Sequence, residues 1–251
     1  MAEKDYKLVV VQGVKGGVGN TTVTSNLAVA LKKIGYNVLV FDFCKSNDLR
    51  LHFGMGLDRT DGLHKGLLND EPWTNYVFED RNSTVFFPFG EIEQVDILRL
   101  IFLSPDYIND ILNEIDFESQ DTIVLIDYPS YNSLKDTRCL SGYDLKINVG
   151  TCEVSSYSKF ISLANSFTGS DILMFNRYNP ERKIESDIRT LISSEFDPSK
   201  VLGVIFEDEF IHQALAQNTT IVDLNEYTKS SKDFYHLTMK LSSMLFASSG
   251  E

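Results

Sequence analysis

Near its start the chain reads VQGVKGGVGNTT, from Val11 to Thr22. Gly16, Gly17 and Gly19 stand between an apolar run and a helical stripe, and paired threonines follow them. Glycines in this context let the backbone wrap a triphosphate so that successive amides point inward. A helix that begins near Thr21 adds the positive end of its dipole. Thr21 is then placed to put its hydroxyl on Mg²⁺, and Thr22 to reach an inner phosphate. The spacing is not the G-x-G-x-x-G of a dinucleotide loop, which argues against a Rossmann dehydrogenase. The plain alternative is a tight strand-to-helix turn with incidental glycines, but KGGVG followed by two threonines is too specific for that. One residue breaks the pattern: where a phosphate loop carries lysine before its threonine, this chain has Asn20.

Such a loop needs a strand before it and a helix after it, and the chain supplies both. Lys7–Gln12 (KLVVVQ) is read as the first strand. Thr21–Lys33 carries apolar residues at helical spacing and stops at Gly35. A second strand is expected at Asn37–Phe43. Further strands are expected at Val85–Phe89, Thr122–Asp127, Leu145–Val149, Ile172–Asn176 and Leu202–Phe206. Helices are expected over Tyr107–Ile115, Ser155–Ser166, Lys183–Ser194, Phe210–Ala216 and Ser231–Leu245. This alternation predicts an α/β fold, a doubly wound and mostly parallel sheet flanked by helices. Phe53–Ser83 is the least regular stretch and is read as a lid or partner surface. With no internal repeat or linker, residues 1–251 read as a single domain with a loose tail.

Bulk properties narrow the function. The chain has 251 residues, 43% hydrophobic and 24% charged, the balance of a soluble globular protein. No apolar run reaches the ~20 residues of a membrane span, and no secretory signal pattern opens the chain. A net charge of −13 argues against broad binding to nucleic acid or anionic lipid. The final helix has few basic residues and reads as core rather than as a membrane anchor. Cys44, Cys139 and Cys152 read as reduced buried thiols, and the four histidines lack metal-ligand spacing.

Val14–Thr22 resembles the deviant phosphate-loop motif K-G-G-x-G-K-[ST] of the ParA/MinD ATPase family at every position but Asn20. The resemblance continues. NVLVFDFCKSNDLRLHFGM is similar to the first switch segment, with Asp42 at its first aspartate and Cys44 where the second would stand. TIVLIDYPS is similar to the second switch, with Asp127 near Mg²⁺ and Pro129 at its proline. ILMFNRYNP resembles the adenine-contacting strand end, with Asn176 and Arg177 in the matching places. VIFEDEFIHQALAQNTTIVDL follows a later family stretch, with Phe206 in place of a proline. The resemblance implies ATP and Mg²⁺ as ligands, with Val14 through Thr22, Asn176 and Arg177 on the nucleotide. It places Thr21, Asp42 and Asp127 at the metal. It also implies a homodimer through the nucleotide face, in which Lys15 reaches the partner's nucleotide.

Asn20 and Cys44 depart at different steps of one chemistry. Asparagine can donate a hydrogen bond to phosphate but brings no charge, and losing a charge-assisted hydrogen bond typically costs ~1.5–3 kcal/mol. A thiol cannot replace a carboxylate as a negative acceptor for the attacking water. Together they imply binding and dimerisation with impaired hydrolysis. Both departures, with the run Asn47–Phe53 and the Pro88–Gly90 turn, resemble the BcsQ branch of the family, found in bacterial cellulose operons. That branch implies a cytoplasmic protein, recruited to the inner membrane by partners, that regulates or assembles the cellulose synthase complex. Its implied partners are the small protein BcsR and a BcsE-type regulator. Two readings compete: a cycling ParA- or MinD-type ATPase that positions cargo, and a biosynthetic or metal-inserting enzyme on the same fold. Turnover, DNA or liposome pelleting, and metal analysis separate them.

Overall fold

The computed structural model of the protein describes residues 5–92, 107–117, 121–131 and 142–246. The first unit is the expected one: β1 (Tyr6–Gly13), α1 (Asn20–Lys33) and β2 (Asn37–Asp42). Then come α2 (Leu49–His52), α3 (Leu63–Leu68), a 3₁₀ turn at Trp73–Tyr76, and strands β3 (Phe78–Glu79) and β4 (Val85–Phe87). Next are α4 (Tyr107–Glu114), β5 (Thr122–Tyr128), β6 (Leu145–Thr151) and α5 (Val154–Leu163). The remainder is β7 (Asp171–Tyr178), α6 (Lys183–Glu195), β8 (Val201–Phe206), α7 (Phe210–Ala216), α8 (Ile221–Leu224) and α9 (Lys229–Phe246).

The strands form one sheet in the order β3-β4-β2-β5-β1-β6-β7-β8. Neighbours run parallel except at the β3–β4 edge. Alternation along β1 decides the layers, because successive side chains point to opposite faces. Val9 and Val11 face α1 and α9, where Val23, Leu27, Phe234 and Leu241 are buried. Leu8 and Val10 face the other side, against Ile108, Leu112 and Leu63. The last helix is therefore core, as its sequence implies. Among the described residues no helix is long and apolar enough to cross a membrane.

β1 lies between β5 and β6, where the direction of chain winding reverses. Ligands of doubly wound sheets bind beyond the carboxyl ends of the strands at such a point. The register of β2 against β5 sets Asp42 directly opposite Asp127 at that edge. The sheet thus brings two carboxylates together before any loop is considered.

Each expected strand is present, with ends shifted by one or two residues. Phe53–Ser83 differs from the expectation of an irregular lid. It is folded onto the sheet edge as α3, the 3₁₀ turn and β3, with Tyr76 buried. The amides of Leu63 and His64 donate to the carbonyls of Pro88 and Phe89, at 2.8 and 3.0 Å, and the Trp73 indole donates to Glu114 at 2.7 Å. Short elements of this kind are held by tertiary contacts rather than by their own periodicity.

Two histidines in this region are interior. Burial pushes the His64 imidazole down to about 3 and His52 down to about 4. His64 stacks on Phe89 and meets the edge of Phe43. A depressed folded-state value means that below pH ~6.5 the unfolded chain binds a proton that the folded chain refuses. Stability is therefore lost as pH falls, by ~2 kcal/mol per histidine between pH 7 and 5. Replacing His64→Gln is expected to flatten this acid loss by about that amount. Urea melts of both proteins at the two pH values provide the check.

Candidate nucleotide and cation site

The loop between β1 and α1 turns through Gly17 and Gly19, with φ of 77° and 88°. Its start is fixed by the Val14 amide, which donates to the Val149 carbonyl at 2.9 Å. Its far side rests on β7. Asn176 Nδ2 donates to the Val18 carbonyl at 2.9 Å, and Arg177 Nη2 to the Gly17 carbonyl at 3.0 Å. A Cβ on Gly19 would lie 2.5 Å from Asn176 Nδ2. Gly19→Ala therefore adds a clash to ~1–2 kcal/mol of left-handed strain, and nucleotide affinity is expected to fall about tenfold or more. Titration with a fluorescent nucleotide measures this.

The floor of the site is acidic. Asp42 and Asp127 are both buried. Asp127 accepts from Asn20 Nδ2 at 2.7 Å and from Thr21 Oγ1 at 2.6 Å. Burial pushes its carboxyl up to about 6 even though these donors pull it down. Asp42 is raised well above the usual carboxylate range, first by burial and then by the charge of Asp127. Its Oδ1 accepts from the Cys44 amide at 2.7 Å. Its Oδ2 makes no hydrogen bond of normal geometry, although the Leu49 amide pulls on the carboxylate. Two buried carboxylates, an unsatisfied oxygen and the Thr21 hydroxyl fit a hard divalent cation such as Mg²⁺. Such an ion would hold phosphate oxygens against the loop and neutralise their charge.

Asn20 is not turned toward the loop as its sequence position suggests. Its amide donates to Asp127, to the Tyr128 carbonyl at 3.3 Å and to Cys44 Sγ at 3.7 Å. The acidic floor attracts its only donor. Cys44 differs from the expectation of a buried inert thiol: it is half-buried, and it lies in the site. Cys152 is buried as expected, and Cys139 lies outside the described residues.

Lys15 pairs within its own chain with Glu153 at 3.1 Å. Glu153 was not legible as a site residue, since nothing near β6 signals a partner for the loop. Gln12 and Tyr131 were also missed. Gln12 Nε2 donates to the Pro129 carbonyl at 2.7 Å, and the Tyr131 amide to Gly13 at 3.2 Å, so the segment after Asp127 is stapled to β1. Beside the loop a cleft of about 270 Å³ is lined by Thr22, Asn176, Arg177, Asp208, Ile211 and Leu215, among others. Asn176 and Arg177 thus stand at the cleft, and their side chains donate to carbonyls of the loop. Val14, Lys15, Gly16, Gly17, Val18, Gly19, Asn20, Thr21 and Thr22 all fall in the loop or the first turn of α1, as the sequence reading has them.

A parallel sheet with a glycine loop after its central strand, backed by paired acidic strand ends, defines a phosphate-loop fold of the ParA/MinD type. Solved structures agree. MinD of Aquifex aeolicus superposes with a TM-score of 0.72 at 21% identity, over 94% of this chain and 97% of that one. MinD of Pyrococcus horikoshii, complexed with Mg-ADP, gives 0.71 at 22% identity, over 96% and 98%. The chain belongs to the cellulose biosynthesis protein BcsQ family, whose family model matches residues 6–240. BcsQ of Escherichia coli K12 is 38% identical over 81 residues, and that match spans about a third of each chain, 32%. An uncharacterised ATP-binding protein of Methanocaldococcus jannaschii is 25% identical over 247 residues, 96% of this chain and 88% of its own.

Proposed function

We propose that this chain is an ATP-binding, dimerising member of its family in which hydrolysis is impaired, and that it supports assembly or regulation of the inner-membrane cellulose synthase complex. The observation that carries this reading is the pair Asn20 and Cys44, standing in place of a lysine and a second aspartate, with the Asn20 amide donating to the Asp127 carboxylate and the Cys44 thiol to the Asp127 backbone carbonyl. A charge that would stabilise the breaking phosphate bond is absent, and so is the carboxylate that would position water. The binding parts remain: loop amides, the helix end and the carboxylate pair. Val14 through Thr22 hold the phosphates, Asn176 and Arg177 border the base, and Thr21, Asp42 and Asp127 hold Mg²⁺. The family name and the Mg-ADP complex of a structural neighbour support the ligand and the setting.

The protein acts as one cytoplasmic domain, drawn to the membrane by partners of the BcsR and BcsE kind rather than by its own insertion. The lysine–glutamate pair opens when Lys15 crosses to a second copy. The second reading is a cycling cargo-positioning ATPase. Both are tested by identifying the nucleotide released from freshly purified protein of known solution mass. Intact ATP at one per chain in a dimer supports the first. ADP, or an empty monomer that turns over added ATP, supports the second.

A further inference from the structure

The cation site contains one atom that Mg²⁺ does not use. Asp42, Cys44 and Asp127 each offer a ligand atom, and these atoms lie within 4.8 Å of one another. Neighbouring ligands of a tetrahedral zinc-like ion, one sulfur at ~2.3 Å and one oxygen at ~2.1 Å, stand about 3.6 Å apart. The set therefore reaches such an ion when its atoms draw together by up to about 1 Å, a movement within the range of side-chain rotation. Asp42 Oδ2, which is buried and lacks a normal hydrogen bond, supplies an independent reason for an ion here. Asn20 supplies another. A lysine at that position would bring an ammonium to Asp127, whereas the neutral amide leaves the floor with two carboxylates. The nearest loop lysine, Lys15, is paired with Glu153 instead. Magnesium prefers oxygen and ignores the thiol, but softer divalent ions prefer sulfur.

We infer that Asp42, Cys44 and Asp127 form a thiophilic cation site overlapping the Mg²⁺ position, so that ions of the Zn²⁺ and Cd²⁺ class bind through the Cys44 sulfur and exclude Mg²⁺. Binding replaces the S–H bond with a metal–sulfur bond, and the proton passes to buffer. No electron is transferred. The inference rests on the reading that a divalent ion sits at this floor. It adds that the chain discriminates among metals by a side chain that its ATPase relatives, by the resemblance, replace with aspartate.

The test uses the full chain and Cd²⁺ alone, followed by equilibrium dialysis and by the ultraviolet thiolate-to-cadmium band. One Cd²⁺ per chain with a thiolate band is expected. The band should be lost in Cys44→Ser and kept when Cys139 and Cys152 are both replaced by serine. Asp42→Asn should weaken Cd²⁺ about tenfold or more, the loss of one charged ligand. Excess Mg²⁺ should compete only weakly. A band that survives Cys44→Ser, or Cd²⁺ bound with no band at all, would overturn the inference. Calorimetric titration with ATP in Mg²⁺ buffer runs in parallel. Absent ATP binding with an intact cadmium band would defeat the proposed function and leave this site standing.

Discussion

Installing both missing groups, Asn20→Lys with Cys44→Asp, is expected to raise steady-state ATP turnover by about 100-fold or more, while each single change gives little. The reason for the non-additivity lies in the floor of the site. A lysine alone finds Asp127 in hydrogen-bond reach of its position and is held there, away from phosphate, as Asn20 is now. An aspartate alone at 44 adds a third carboxylate beside Asp42 and Asp127, and their mutual repulsion raises its pKa and misplaces water. The two together neutralise one another and restore the donor and the acceptor that the transition state needs. Phosphate release under multiple turnovers measures the outcome. If the unaltered chain already turns over as fast as the double variant, impaired hydrolysis is wrong.

The second large effect is a dissociation of stability from ligand response. Asp127→Asn keeps the shape and most of the bonding, since a carboxamide oxygen still accepts from Asn20 and its NH₂ can donate to the Thr21 hydroxyl. It removes a charge held at about 6 by burial. A carboxyl raised from its unfolded value costs stability at pH values above its folded pKa, and that cost fades as pH falls toward 4. The ion-free variant is therefore expected to be more stable than the parent at pH 7.5, by roughly 1–3 kcal/mol, and no more stable at pH 4. At the same time the increase in Tm on adding Mg²⁺ and ATP should disappear. Thermal melts with and without ligand at both pH values read both effects. A variant that is less stable at neutral pH and still responds to Mg²⁺ would show that Asp127 is structural only.

The long elements were legible because they repeat a simple rule. Lys7–Gln12, Asn37–Phe43 and Thr122–Asp127 each have an unbroken apolar centre of at least three residues, as doubly covered strands do, and the α1 stripe has a full helical period. Four short elements were not legible. β3, α2, α3 and α8 are too short to show a period, and tertiary contacts hold them: Arg81, just after β3, reaches Asp223 in α8 at 2.7 Å. The site divides in the same way. Its loop and its aspartates stand on motif positions and strand ends. The direction of Asn20, the Lys15–Glu153 pair and the Gln12 staple depend on side chains brought together from distant strands, and no local pattern records them.

The register that places Asp42 opposite Asp127 also bears on folding. These residues belong to distant parts of the chain, and their strands meet only after a large loop has closed. On the proposed function, an ion shared by both carboxylates would be a reversible cross-link across that loop. It would find no comparable geometry in the unfolded chain, so it would stabilise the folded state by an amount that grows with the logarithm of the ion concentration. Chelation is then expected to loosen this strand pairing before it disturbs the β6–β8 half of the sheet, and on that reading the cation would fasten one half of the molecule as well as meet phosphate.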